Sequence, residues 1–263
     1  MKVKIVTSFN EELWTKYAKN SLDSWVDFIK LDEGSIIECW ILGAFPRGLP
    51  TKTKHGIPFV YKMVETQSQA WANFYTQYKD HPKPKMPPNA EYKFNFIPFS
   101  IKAFALAEAA FSIREKEPRE FDYMCWIDAD VVLQNFVTSA YLKEVIGNNH
   151  LAWLDRGNGW GHGETGFIMA SSAGDTLDIF LQQANLYGAG QLFYFAEWHD
   201  AFVFTSLVRL KTYMEGPETF SVKNLNLDME SKHNNGLRPF ETSILNTHMT
   251  HYKGQTKDQI PSA

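Results

Sequence analysis

The segment that most constrains this chain is Tyr123-Met124-Cys125-Trp126-Ile127, five apolar residues in a row closed by Asp128-Ala129-Asp130. An uninterrupted apolar run of that length suits a strand covered on both faces, as in the middle of a parallel sheet. In open α/β sheets, ligands bind beyond the carboxyl ends of the strands. Two carboxylates one residue apart at such a point suit a hard divalent cation, Mn²⁺ or Mg²⁺. An ion held there would bridge to a diphosphate and offset the charge that grows on a leaving group. An isolated Asp-x-Asp also reads as two solvated turn carboxylates, and its place after the apolar run is what favours function.

The rest of the chain fits an α/β sheet. Lys2 to Thr7 reads as a first strand ending in the polar turn Ser8-Phe9-Asn10, and Ile36 to Leu42 as a second, stopped by Gly43. Between them Trp14, Ala18, Leu22, Trp25 and Ile29 recur at three- and four-residue steps, the face of a helix. Strand, helix, strand at this spacing opens a sheet with right-handed crossovers. Residues 45–58 carry three prolines and two glycines and read as a loop, 59–80 as helical, and the Pro-rich stretch 81–88 as a surface excursion. Ile101, Phe104, Ala107 and Phe111 mark a further helix face. After Asp130 come a strand at His150 to Leu154, a Gly-rich loop from Asp155 to Gly166, a strand at Phe167 to Ala170, and helices near 175–186 and 200–210. The expectation is an α/β fold: one domain, 1–263, with a mostly parallel central sheet flanked by helices. Its nucleotide-binding half would end near residue 135 and its acceptor and catalytic half would follow.

Composition excludes some classes. The formal net charge is −4, without the basic footprint of a nucleic-acid binder. Cys39 and Cys125 each sit in apolar runs and read as buried free thiols. No signal-peptide pattern and no apolar run of membrane-span length is visible, so a cytoplasmic protein without a transmembrane segment is expected. Aromatics at 15% suit a Phe-rich core, and some could form a sugar platform.

A second signal lies at His248, His251, Gly254 and Lys257. The spacing of the last three would let a ring nitrogen meet a metal, bare backbone approach a phosphate, and an ammonium pair with it.

Taken in order, these segments resemble the retaining glycosyltransferase family of glycogenin and the bacterial lipopolysaccharide sugar transferases. Ser100-Ile101-Lys102 is similar to the start of the family's Lys-bearing helix, and Trp126 to Leu133 to its strand ending in Asp-Ala-Asp. Gly163-Glu164-Thr165-Gly166-Phe167 stands where the family has Asn-Ser-Gly-Val, and Trp198-His199-Asp200-Ala201 resembles its Asp-Gln pair. His251-x-x-Gly254-x-x-Lys257 is similar to its closing motif, with Asp258-Gln259 in place of Pro-Trp. The resemblance implies a GT-A (Rossmann-like) fold, Mn²⁺ (or Mg²⁺), a nucleotide-sugar donor, most often UDP-linked, and a glycan or other hydroxyl acceptor. It implies that Asp128, Asp130 and His251 hold the metal and that Lys102 and Lys257 contact the donor, with Ala129, Thr165 and Gly254 beside it.

Individual residues keep two readings at this level. Asp200 is a carboxylate for the anomeric carbon or a helix N-cap. Glu164 hydrogen-bonds sugar hydroxyls or is a solvated turn residue, and Trp160 and His162 are ligand contacts or exposed loop residues. Thr7, Ser8 and Phe9 are candidates for the nucleoside site or a plain strand end. Two other functions stay open. A haloacid-dehalogenase-type phosphatase would use Asp128 as nucleophile, although its later motifs are out of order here. A non-catalytic carbohydrate-binding protein would need neither the metal pair nor the basic closing motif.

Overall fold

Alternate residues along each central strand feed two different cores. Ile5, Cys39, Cys125, Ile127, Ala152, Phe167 and Met169 enter one; Val6, Trp40, Met124, Trp126, Trp153 and Ile168 enter the other. This is the period-two geometry of a pleated strand, with apolar residues in both registers because both faces are covered. The structure, a computed structural model, describes residues 1–157, 161–227 and 239–252.

The strands are β1 (Val3–Asn10), β2 (Ile29–Lys30), β3 (Ile36–Leu42), β4 (Phe59–Met63), β5 (Tyr123–Ile127), β6 (Val131–Leu133), β7 (Val137–Thr138), β8 (Leu151–Leu154), β9 (Glu164–Ser171), β10 (Val222–Asn224) and β11 (Met249–His251). Seven of them form one sheet in the order β10-β8-β9-β5-β1-β3-β4. β1 pairs in parallel with both β3 and β5, β3 with β4, and β10 with β8; β9 alone runs against its neighbours β5 and β8. The mostly parallel sheet flanked by helices is the architecture read from the sequence. The chain winds outward from β1 through β3 to β4 and then returns to β5 on the other side of β1. That reversal makes a crevice beyond the carboxyl ends of β1 and β5, where α/β sheets bind ligands.

One core lies under the helix Lys19–Phe28 and the helix Ser139–Ile146; the other lies under Gln69–Tyr78, Phe96–Arg114, Asp178–Gly188 and Asp200–Glu215. Side chains such as Phe167, Phe180 and Phe204 are essentially fully buried there, each contributing about 1.5–3 kcal/mol of hydrophobic transfer. Phe96–Arg114 is apolar nearly all round rather than on one face. By length and composition it could cross a membrane, which the sequence reading did not foresee, yet 67% of its apolar window is buried inside the fold. It is the central helix of a core. Cys39 and Cys125 are buried free thiols, and burial pushes both pKa values up.

Five local readings change. Ser8, Phe9 and Asn10, expected as a polar turn, are the last residues of β1 and pair with β3. Residues 59–63 form an edge strand before helices begin at Val64, where a helix had been expected throughout. The first helical face stops at Phe28, and Ile29 opens β2. Residues 14–18 make a wider π-helical turn within that first helical stretch. The loop expected to run to Gly166 ends earlier, because Glu164 and Thr165 already belong to β9.

Candidate active site

The crevice is a cleft of about 640 Å³, within the usual range for small-molecule sites. Backbone pairing brings its parts together. β5 ends at Ile127, and Asp128 N–H donates to the Gly166 carbonyl at 2.9 Å, which fixes the turn against β9. The chain then re-enters a strand, β6, and β11 pairs with it antiparallel, setting His251 opposite Val131. The residue just before Val131 is Asp130, whose carbonyl accepts from Tyr252 N–H at 3.1 Å. A short ladder near the end of the described chain thus lays an imidazole beside the carboxylate pair.

His251 Nε2 lies 3.0 Å from Asp130 Oδ1 and 3.7 Å from Asp128 Oδ2, and its Nδ1 lies 3.7 Å from Glu164 Oε1. His251 Nδ1 is buried and makes no hydrogen bond among the described residues. Asp128, Glu164 and His251 each place a ligand atom within 4.8 Å of the others. The room for the ring comes from Gly166, where a Cβ would sit 2.6 Å from His251 Cε1. Gly163 does the same against Trp153, at 2.3 Å from its ring. Both glycines serve close approach rather than a turn.

Charge is layered around this set. Lys102 Nζ reaches Asp128 Oδ1 at 3.0 Å, Asp200 Oδ2 at 3.3 Å and the Thr165 carbonyl at 2.5 Å. Trp126 Nε1 donates to Asp128 Oδ1 at 2.5 Å. Asp200 is buried and also accepts from the Thr165 hydroxyl at 2.8 Å. Burial works against its charge, but Lys102, His199 and that hydroxyl outweigh it and hold its pKa below the ordinary carboxylate value. Arg156 Nη2 pairs with Glu164 Oε2 at 2.9 Å, both side chains being largely buried. The described cleft lining carries four carboxylates, Asp128, Asp130, Glu164 and Asp200, against the cations Lys102 and Arg156. The excess of two negative charges, an imidazole with an unsatisfied nitrogen, and oxygen donors within a few ångströms together fit a divalent ion of the Mn²⁺ type.

The structure gathers Ser8, Lys102, Asp128, Ala129, Asp130, Glu164, Thr165, Asp200 and His251 around one cleft. It does not place Thr7 and Phe9 there. Thr7 is buried in β1, and Phe9 stacks on Trp14 at 5.5 Å within the core, because alternate residues of a strand face opposite sides and Ser8 holds the cleft register. Asp200 is the first residue of its helix, with His199 at the N-cap position, so it is not the cap. Glu164 is buried on a strand, not on a solvated turn. Gly254, Lys257 and Trp160 lie outside the described residues. Arg156, Glu197 and the indole donor of Trp126 were not foreseen. His162 and His199 line the same cleft, and burial pushes the His162 pKa down to about 4.

No family model matches the chain, and no curated protein matches it in sequence. Among solved structures, mouse xyloside xylosyltransferase 1 in its apo form superposes with a TM-score of 0.50 over 92% of this chain and 93% of that one, at 11% identity. The likeness is one of fold: the chain shares the α/β fold of that xylosyltransferase.

Proposed function

We propose that this chain is a metal-dependent glycosyltransferase that moves a sugar from a nucleotide-diphosphate donor, UDP-linked, to a hydroxyl acceptor with retention of anomeric configuration. The observation that carries the reading is the meeting of Asp128, Asp130 and His251 at the carboxyl end of β5, beside a buried Lys102–Asp200 pair. The fold it shares with a xylosyltransferase supports the same reading. So does the motif order that resembles the glycogenin family.

Asp128, Asp130 and His251 would hold the ion, with Glu164 within reach. When bound, the ion supplies Lewis-acid neutralisation of the diphosphate. Lys102 holds Asp128 and Asp200 in place, its ammonium bound by both carboxylates and a carbonyl. Asp200, charged and rigid, stabilises positive charge at the anomeric carbon or attacks it. Thr165 and Trp126 orient Asp200 and Asp128 through their hydrogen bonds. Arg156 holds Glu164 by an ion pair beside His251. Ser8, at the end of β1, borders the space for the nucleoside.

The test is a thermal-shift screen of nucleoside diphosphates with and without Mn²⁺. A ligand that binds the folded state raises the midpoint according to its affinity. A Mn²⁺-dependent shift with UDP is expected. Its absence for every nucleotide, with turnover of an aryl phosphate instead, would favour the phosphatase reading.

A further inference from the structure

We propose that His162, Glu197 and His199 form a second cation site, for a zinc-type divalent ion, separate from the Asp128–Asp130–His251 set. His199 Nε2 hydrogen-bonds Glu197 Oε2 at 2.8 Å, a proton that the ion would displace, and His162 Nε2 lies 4.0 Å from the same oxygen. The two imidazole rings meet edge to face with centroids 4.5 Å apart. Each residue places a ligand atom within 4.8 Å of the others. In a tetrahedral site with bonds of about 2.0–2.2 Å, ligand atoms stand roughly 3.3–3.5 Å apart. The two separations from Glu197 Oε2 fall on either side of that value.

The tautomer of His162 is the telling feature. Its Nδ1 lies 2.8 Å from the Gly163 carbonyl, which can only accept, so Nδ1 carries the proton. The Arg156 guanidinium is farther from that nitrogen, at 3.4 Å, and the shorter contact decides. His162 Nε2 therefore presents a lone pair toward a carboxylate. Two acceptors turned toward each other are stabilised by a cation between them, and a backbone carbonyl on the distal nitrogen is how metal-ligating histidines are usually oriented.

The other ligands are also held. Lys93 Nζ takes Glu197 Oε1 at 2.5 Å, leaving Oε2 turned toward the imidazoles. Lys93 is tied to the same segment by its carbonyl, which accepts from Trp198 N–H at 2.7 Å. His199 is buried at the start of the helix Asp200–Glu215, with Phe99 and Tyr92 against its ring. Two imidazoles and one carboxylate are a nitrogen-rich donor set that suits zinc, whereas the carboxylate-rich first set suits Mn²⁺ or Mg²⁺. Three protein ligands leave one coordination position. Because His162 and His199 line the cleft, that position can take water or a hydroxyl. Its use on an acceptor hydroxyl rests on the transferase reading; the ion site itself does not.

The experiment is equilibrium dialysis of the full chain against Zn²⁺, paired with Co²⁺ substitution read by the visible bands of four-coordinate cobalt. Wild type is expected to retain Zn²⁺ and give the cobalt spectrum. Asp130→Asn should keep both. His162→Ala and Glu197→Gln should each weaken Zn²⁺ about 100-fold or more and lose the spectrum, with the circular dichroism of the metal-free protein unchanged. His162→Gln keeps the assignment testable if alanine disturbs the fold. No Zn²⁺ retained by wild type, equal retention by folded His162 and Glu197 variants, or loss in Asp130→Asn alone would each overturn the second site. UDP and Mn²⁺ binding by wild type, measured on the same sample, reports on the transferase reading independently.

Discussion

Replacing Gly166 with alanine separates a ligand role for His251 from mere proximity. The new Cβ would lie 2.6 Å from His251 Cε1, 2.7 Å from its Nδ1 and 3.0 Å from Phe240 Cε2. Carbon contacts are comfortable near 3.5 Å, so the ring must retreat by roughly 0.9 Å. Retreat is constrained, because Phe240 packs against the imidazole at 4.9 Å between centroids. Gly166 lies within β9 and is not among the glycines with positive φ, so the substitution tests space rather than backbone strain. Overpacking of this kind costs about 1–3 kcal/mol, measurable by urea unfolding of the metal-free protein. A ligand displaced by most of an ångström should also weaken Mn²⁺ about 10–100-fold, measurable by calorimetry in the presence of UDP. In a His251→Ala background the same change should cost less stability, since its two nearest obstacles are gone and the Phe240 contact alone remains. A variant that shows the stability loss but binds Mn²⁺ as wild type does would refute the ligand role of His251.

Asp130→Asn should abolish Mn²⁺-dependent UDP affinity while leaving the melting temperature without metal nearly unchanged; unaltered affinity would remove Asp130 from the metal set. With an α-linked donor, NMR of the first product should show an α linkage, and Asp200→Ala should lower kcat about 100-fold or more; a β-linked first product would overturn retention. Glu197 has its pKa pulled down to about 2, chiefly by its hydrogen bond to His199 and against the opposing effect of burial. A carboxylate depressed in the folded state contributes stability that is present above its ordinary value of 4.5 and is lost as pH falls from there toward about 2. Glu197→Gln should therefore cost at most about 3 kcal/mol in metal-free protein at neutral pH and flatten that acid limb; an acid limb identical to wild type would show that the pair contributes nothing.

The parts of the site legible in the sequence were those with a local signature. The apolar run before Asp128-Ala129-Asp130 specified a buried strand and its carboxyl end together, because five successive apolar residues need cover on both faces. The spacing around His251 gave a candidate ligand, but only the β6–β11 register shows how it reaches Asp130. Glycine misled at 163 and 166. Both looked like turn residues, whereas their lack of a side chain admits Trp153 and His251 into close contact, and that need arises from partners far along the chain. Residues 59–63 read as part of the weakly amphipathic helical stretch that follows, and the edge position that makes them a strand is set by pairing with β3. Arg156 and Glu197 had no local signature, since each matters through ion pairs that only the folded chain forms, with Glu164 and with Lys93 and His199.

The three-residue ladder between β6 and β11 has a consequence for which changes of chain length the protein tolerates. Side chains alternate along a strand, so a register slip of one residue would turn His251 away from the carboxylates and offer Thr250 or Tyr252 instead. Insertions in the loops that join the elements between the two strands are absorbed at little entropic cost, because loop closure depends only weakly on length. A single residue added or removed between His248 and His251 is a different matter, since the Gln134 N–H bond to the His248 carbonyl, 2.8 Å long, pins the approach to the ladder. Deletion of one codon there would leave the seven-stranded sheet paired while taking His251 away from the carboxylates of the proposed metal set.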